Sequence, residues 1–205
     1  SYTRSKNLSQ FTLRWSLKYT APTFRIFSSI NTLTSRQDGA SNTERYDGNA
    51  GYDRFTSERT FIRAKYSFLS NDKQQLKFRN VIGTGVGYFF IRSNRILWDA
   101  VGGIDFCKEN FQPADEPSRE SLEVMLSTEI TALDVSDLNL SASVFAYPSL
   151  TYKGRMRVDL SFDVKYTLPL DFYISAGSTW NFDNKPIDGA SVYDIIIQTS
   201  IGWEL

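Results

Sequence analysis

Period-two alternation, repeated along nearly the whole chain, limits most strongly what this sequence can become. From 9 to 19 one face reads Ser9, Phe11, Leu13, Trp15, Leu17, Tyr19 and the other Gln10, Thr12, Arg14, Ser16, Lys18. From 155 to 167, Met156, Val158, Leu160, Phe162, Val164 and Tyr166 alternate with Arg155, Arg157, Asp159, Ser161, Asp163, Lys165 and Thr167. Residues 122–130 and 170–182 repeat the pattern. Side chains of a strand point alternately to opposite faces, so such runs specify strands with one apolar and one polar face. No 3.6-residue pattern competes, and the chain is expected to be all-β.

Eleven strands are expected, at 9–20, 23–35, 43–54, 59–69, 75–91, 95–107, 119–132, 138–148, 154–167, 169–182 and 191–205. Most are far longer than the roughly five or six residues of an average strand. They suit a tilted bilayer crossing, which takes roughly 9–11 residues. Short turns, at 21–22, 55–58, 92–94, 133–137 and 168, alternate with mostly longer polar connections at 36–42, 70–74, 108–118, 149–153 and 183–190. That layout is the one of outer-membrane barrels, whose short turns are periplasmic. Such single-chain barrels have an even number of strands. A twelfth strand is therefore expected before Ser9, with residues 1–3 its end and 4–8 a loop. The expectation is one barrel domain over 1–205, with most of its first strand missing from the sequence.

Composition narrows the chemistry. The chain has 205 residues, no His, one Cys (Cys107), and 23 Lys plus Arg against 23 Asp plus Glu. A net charge of zero gives no basic face for nucleic acid, so none is expected as a partner. Without His the commonest general base, metal ligand and triad member are gone. One Cys makes neither a disulfide nor a Cys-rich zinc site. No spacing nominates a catalytic set, so an enzyme, a cofactor and a metal are not expected. The acids Glu109, Asp115, Glu116, Asp183 and Asp188 in the longer connections have no EF-hand spacing and read as solvated loops.

Mean hydropathy is -0.33 and no apolar run reaches the roughly 20 residues of a membrane helix. A transmembrane β-barrel still fits, because half of its residues face a polar lumen. Eleven apolar strand faces would overfill a soluble barrel, which is typically built from about eight strands. Aromatics also gather near strand ends: Trp15, Tyr19, Trp98, Tyr166 and Trp203 by the short turns, and Tyr66, Phe68, Phe106, Trp180 and Phe182 by the longer ones. Two such bands are expected to be membrane girdles. The opposite faces place Arg14, Lys18, Arg63, Lys65, Lys77, Arg79, Asp99, Asp105, Glu123, Glu129, Arg155, Arg157, Asp159, Asp163, Lys165, Asp171 and Asp194 in the lumen. Gly83, Gly85 and Gly87 share one face, the lumen by strand parity, and are read as room that lets the wall curve or lets a bulky lumen side chain pack close.

Four stretches carry a family resemblance: 42–55 (NTERYDGNAGYDRF), 78–89 (FRNVIGTGVGYF), 147–166 (YPSLTYKGRMRVDLSFDVKY) and 199–205 (TSIGWEL). In this order they resemble the YdiY-like family of salt-induced outer-membrane proteins, built on domain of unknown function 481. The resemblance implies a stress-related barrel in the outer membrane of a Gram-negative bacterium, with outer-membrane lipid around it. It implies no established activity.

Two functions follow as expectations. One is a narrow, porin-like channel for small polar solutes or ions, with the mixed-charge lumen as its filter. The other is a non-conducting structural barrel, its lumen closed by paired charges, that serves as a subunit of a larger assembly with outer-membrane or periplasmic proteins. Gly48, Ala50 and Gly51, on a weakly apolar strand, are the candidate seam for such a partner.

Overall fold

The computed structural model describes residues 2–5, 8–37, 43–112 and 115–203. It is a single 12-stranded antiparallel sheet in which every strand pairs with its chain neighbours. The strands are β1 (Tyr2–Ser5), β2 (Leu8–Thr20), β3 (Phe24–Gln37), β4 (Thr43–Phe55), β5 (Thr60–Asn71), β6 (Leu76–Arg92), β7 (Ile96–Phe111), β8 (Arg119–Val135), β9 (Leu138–Pro148), β10 (Met156–Thr167), β11 (Phe172–Asp183) and β12 (Tyr193–Trp203). Helix is confined to two 3-10 turns, Asp72–Gln74 and Pro169–Asp171. Each of the eleven alternating segments became a strand, because alternation and length both demanded it. β7 runs four residues past the expected end at 107, continuing its ladder through Glu109 to Arg119.

The twelfth strand exists as four residues of β1, paired Tyr2↔Phe11 to Ser5↔Leu8. It therefore extends through Ser5 rather than ending at residue 3. Among the described residues no ladder joins β12 to β1 or β2. β2 and β12 run in the same direction, from the rim of longer connections to the rim of short turns. The sheet curls until non-neighbouring strands meet across its concave face. Arg25 on β3 reaches Asp99 on β7, Arg45 on β4 reaches Asp194 on β12, and Arg14 on β2 lies 3.7 Å from Asp163 on β10.

Burial is inverted relative to a water-soluble protein. Asp53, Asp105, Glu109 and Glu123 are all fully buried, whereas Ile197 and Ile201 are 73% and 77% exposed. Charged residues are almost never fully buried unless paired, and contiguous exposed apolar surface marks contact with something other than water. The convex face of β2 alone offers Phe11, Leu13, Trp15, Leu17 and Tyr19. Aromatic rings touch along the short-turn rim: Tyr19 with Phe24, Phe24 with Tyr52, and Phe90 with both Tyr88 and Trp98. The indoles of Trp98 and Trp203 donate to Thr128 Oγ1 and the Leu170 carbonyl, each at 3.0 Å. Tyr166, Trp180 and Phe182 are also exposed, the last two at the other rim. Trp15 departs from the expected girdle, since it pairs with Ile30 midway along β2.

The β8–β9 hairpin closes through Ser136 and Asp137 between the paired Val135 and Leu138. Both have positive φ, 54° and 66°, which is a type I′ turn built without glycine. The left-handed region costs an L-residue about 1–2 kcal/mol, less for Asp. Asp137→Gly is therefore expected to raise stability by roughly 0.5–1 kcal/mol, read as a higher urea midpoint of the refolded protein in detergent. A lower midpoint would show that the Asp137 side chain is needed there.

Candidate functional site

Alternation places one side chain in two of each strand on the concave face, and the interior that results has two unlike halves. On the β5–β8 side it is filled. Phe61, Phe89, Val101, Met125 and Tyr147 form a buried cluster, with Phe55, Leu97 and Phe145 packed against it. Glycine makes this filling possible. A Cβ on Gly87 would fall 2.1 Å from the Phe61 ring, and Cβ atoms on Gly85 or Gly103 would each meet Met125 Cε at 2.9 Å. The wall is thin where the contents are bulky.

Charge is woven through this filling. At the short-turn end Asp53 accepts from Arg25 Nε at 2.7 Å and Arg63 Nε at 2.8 Å, and Arg63 also reaches Glu129 at 2.6 Å. Both guanidiniums lie over the Phe61 ring, at 5.5 and 5.3 Å from its centre. Halfway along, Lys65 Nζ is 2.9 Å from Asp105, and Arg157 pairs with Glu123. Tyr147 is held between those two cations, 4.8 Å from Lys65 Nζ and 4.7 Å from Arg157 Cζ. Towards the rim of longer connections, Glu109 accepts from Arg79 and from both terminal nitrogens of Arg155, which also binds Asp183. Buried ions require such pairing, because unpaired they are strongly destabilising.

The other half, on the β2–β4 and β9–β12 side, is hollow. A cavity of about 690 Å³ opens there, lined by hydroxyl and amide side chains such as Ser29, Asn31, Ser141 and Gln198, by apolar ones such as Phe27 and Phe145, and by charged ones reaching in from β5, β6 and β8. Along β3 it extends from Phe27 to Leu33, six residue steps, or roughly 20 Å at about 3.3 Å per step.

The mouth on the side of the longer connections is crossed by a strap. Ile187, in the β11–β12 connection, is buried against Leu76 and Phe111 from the opposite wall. Beside it, Gln75 Nε2 donates to the Gly189 carbonyl at 3.2 Å, and Ser191 N to the Lys73 carbonyl at 3.1 Å. Asp194 below collects Arg45, Asn71 and Lys73 at 2.8 to 3.2 Å. The β5–β6 connection, only four residues long, anchors its neighbours as well: Asp72 accepts from Glu44 N and Gln112 Nε2.

Most of the lumen candidates read from the sequence lie on the concave face, in the pairs described. Asp159 accepts from Asn181 at 2.6 Å, and Lys165 Nζ sits 4.5 Å from the Tyr173 ring centre. Arg14 and Lys18 are exposed on the first long strand. Lys77 leaves the alternation: the β6–β7 register shifts between Leu76 and Phe78, and its side chain is exposed. The side chain of Asp171 lies outside the described residues. Arg25, Arg45, Asp53, Glu109 and Asp183 belong to the interior but were missed. On β4 the signal was the polar set Arg45, Asp47, Asn49, Asp53 at period two, masked by a weakly apolar partner face. Glu109 and Asp183, read as solvated loop acids, are buried and held by arginines. Among the described residues no three metal-ligating side chains cluster. Cys107 is buried in the wall of β7. Of the candidate seam, Gly48 is covered by the Phe68 ring at 2.6 Å from a would-be Cβ, Gly51 by the Phe27 ring at 2.1 Å, and Ala50 is exposed.

No curated protein matches the chain. Among solved structures, the porin NanC, in a rhombohedral crystal form, is similar with a TM-score of 0.57 at 9% identity, covering 97% of this chain and 94% of its own. A bacterial polysaccharide outer-membrane secretin gives a TM-score of 0.48 at 13% identity, covering 100% of this chain and 78% of its own. The fold is thus shared with a porin barrel. Residues 5–204 match the family described as "Protein of unknown function, DUF481", and the chain belongs to that family.

Proposed function

We propose, with membership of this family as the premise, that the chain is an outer-membrane barrel conducting small polar solutes or ions along its hollow half. The observation that carries the reading is the inverted burial combined with the 690 Å³ cavity, to which hydroxyl, amide and charged side chains contribute. A wall of exposed Ile, Leu and aromatic side chains suits lipid, and an interior of hydroxyls, amides and paired charges suits water and solute. In lipid every backbone group must be paired. Among the described residues the outer edge of β12 and that of β2 beyond Phe11 have no ladder partner and run in the same direction, so an antiparallel segment between them would pair both. The filled half supports a narrow passage rather than an open pore. The reading includes no catalysis.

The test is the conductance of the purified, refolded protein in a planar bilayer, with folding checked by heat-modifiable migration on a gel. Steady single-channel events of small size are expected. A silent bilayer with folded, inserted protein overturns the channel reading. It would favour the non-conducting barrel, for which the strap of Ile187 and the ion pairs spanning the lumen are the supporting observation.

A further inference from the structure

The interior cations and acids differ in where they stand relative to the cavity. Six cations line the cavity (Arg14, Arg45, Arg63, Lys65, Arg79 and Arg157) against four carboxylates (Asp47, Asp159, Asp163 and Glu129). The remaining acids are withdrawn behind their partners. Asp53 sits behind Arg63, Asp105 behind Lys65, Glu109 behind Arg79 and Glu123 behind Arg157, and each of these four acids is fully buried without reaching the cavity. Gly83 shows how the wall stores an acid. A Cβ there would fall 1.7 Å from Asp105 Oδ1, so only glycine lets that carboxylate lie flat against β6 with Lys65 in front of it.

Each such pair is a dipole whose positive end faces the hollow. Coulomb energy falls with distance and is screened over a Debye length of about 8 Å at physiological salt. A permeating ion therefore meets the nearer charge more strongly than the one behind it. The cations of the four pairs stand on β5, β6 and β10. The facing wall carries Ser, Thr, Asn and Gln together with Arg14, Arg45, Asp47, Asp159 and Asp163. Of the lining carboxylates, Asp47, Glu129 and Asp163 lie 3.0, 2.6 and 3.7 Å from Arg45, Arg63 and Arg14, and Asp159 accepts from Asn181 at 2.6 Å.

We propose that the cavity is an anion-selective path, with Arg63, Lys65, Arg79 and Arg157 as its filter and small anionic solutes as the class it passes. This rests on the channel reading above. The experiment is the reversal potential of the reconstituted protein under a KCl gradient. The expected sign is that of chloride, with chloride permeability severalfold above that of potassium. Lys65→Gln/Asp105→Asn removes one cation with its partner, leaves no orphan charge, and is expected to lower the ratio roughly twofold or more. Lys108→Gln/Glu120→Gln, an exposed pair on the outer face, is expected to leave it unchanged.

A wild-type protein that conducts without preference, or prefers potassium, overturns this proposal and leaves the channel standing; that result is decisive even if the lumen variant does not fold. A folded lumen variant with an unaltered ratio removes Lys65 from the filter and overturns the assignment. Silence of the folded wild type instead overturns the channel itself, and the anion path with it.

Discussion

Replacing Glu109 with alanine is expected to destabilise the barrel by roughly 3–5 kcal/mol, the cost of breaking a buried ion pair from one side. Glu109 is fully buried and accepts from Arg79 Nε at 2.7 Å and from Arg155 at 2.8 and 2.9 Å. With it gone, Arg155 keeps Asp183 at 2.5 Å, but Arg79 reaches Asp183 only at 3.7 Å. Arg79 then becomes the uncompensated charge. The double variant Arg79→Leu/Glu109→Leu removes that orphan and is expected to recover most of the loss, because hydrophobic replacement of a whole buried pair is often nearly neutral. Urea midpoints of the refolded proteins decide it. A single variant as stable as wild type would show that water reaches Arg79 and that this rim of the lumen is open.

These two variants also bear on what a sequence can disclose. The eleven long strands were legible because one face of nearly every strand is apolar and the other is not. Strand β10 displays this most clearly, with Met156 to Tyr166 set against Arg155 to Thr167. Which charges face inward followed from the same parity wherever it held, as for Arg63, Glu123 and Arg157. It failed at Lys77, because a register shift between Leu76 and Phe78 breaks the period, and a bulge leaves no trace in alternation. It also gave no warning of the filled half. In β6 one face carries Val81, Gly83, Gly85, Gly87, Phe89 and the other Ile82, Thr84, Val86, Tyr88, Phe90, so both look apolar. Only the pairing of Phe61 with Gly87, and of Gly85 with Gly103, reveals that the glycines are hollows for neighbouring side chains. Segregation of acids behind bases is equally invisible, since it depends on which strand lies beside which. Glu109 and Asp183 illustrate the point: 74 residues apart in sequence, they share Arg155.

Truncating Phe61 to alanine is expected to raise single-channel conductance while lowering stability by roughly 3–5 kcal/mol. The ring is fully buried, 4.6 Å from the Phe89 ring centre, and carries Arg25 and Arg63 on its faces. It occupies the hollow over Gly87, which has no side chain with which to collapse into the space left. The vacated volume joins the cavity at Arg63, the residue common to both. Widening therefore falls at the short-turn end, where the ion pairs of Asp53 otherwise narrow the passage. Phe106→Ala is the matched control, since that ring is exposed and takes no part in lining the cavity, and its loss is expected to leave conductance as it was. Equal conductance in Phe61→Ala and wild type would place the conducting path wholly on the hollow side. The aromatic cluster would then be ballast for the wall, and permeation would be governed by the cations of β5, β6 and β10 facing the hydroxyl-lined strands opposite.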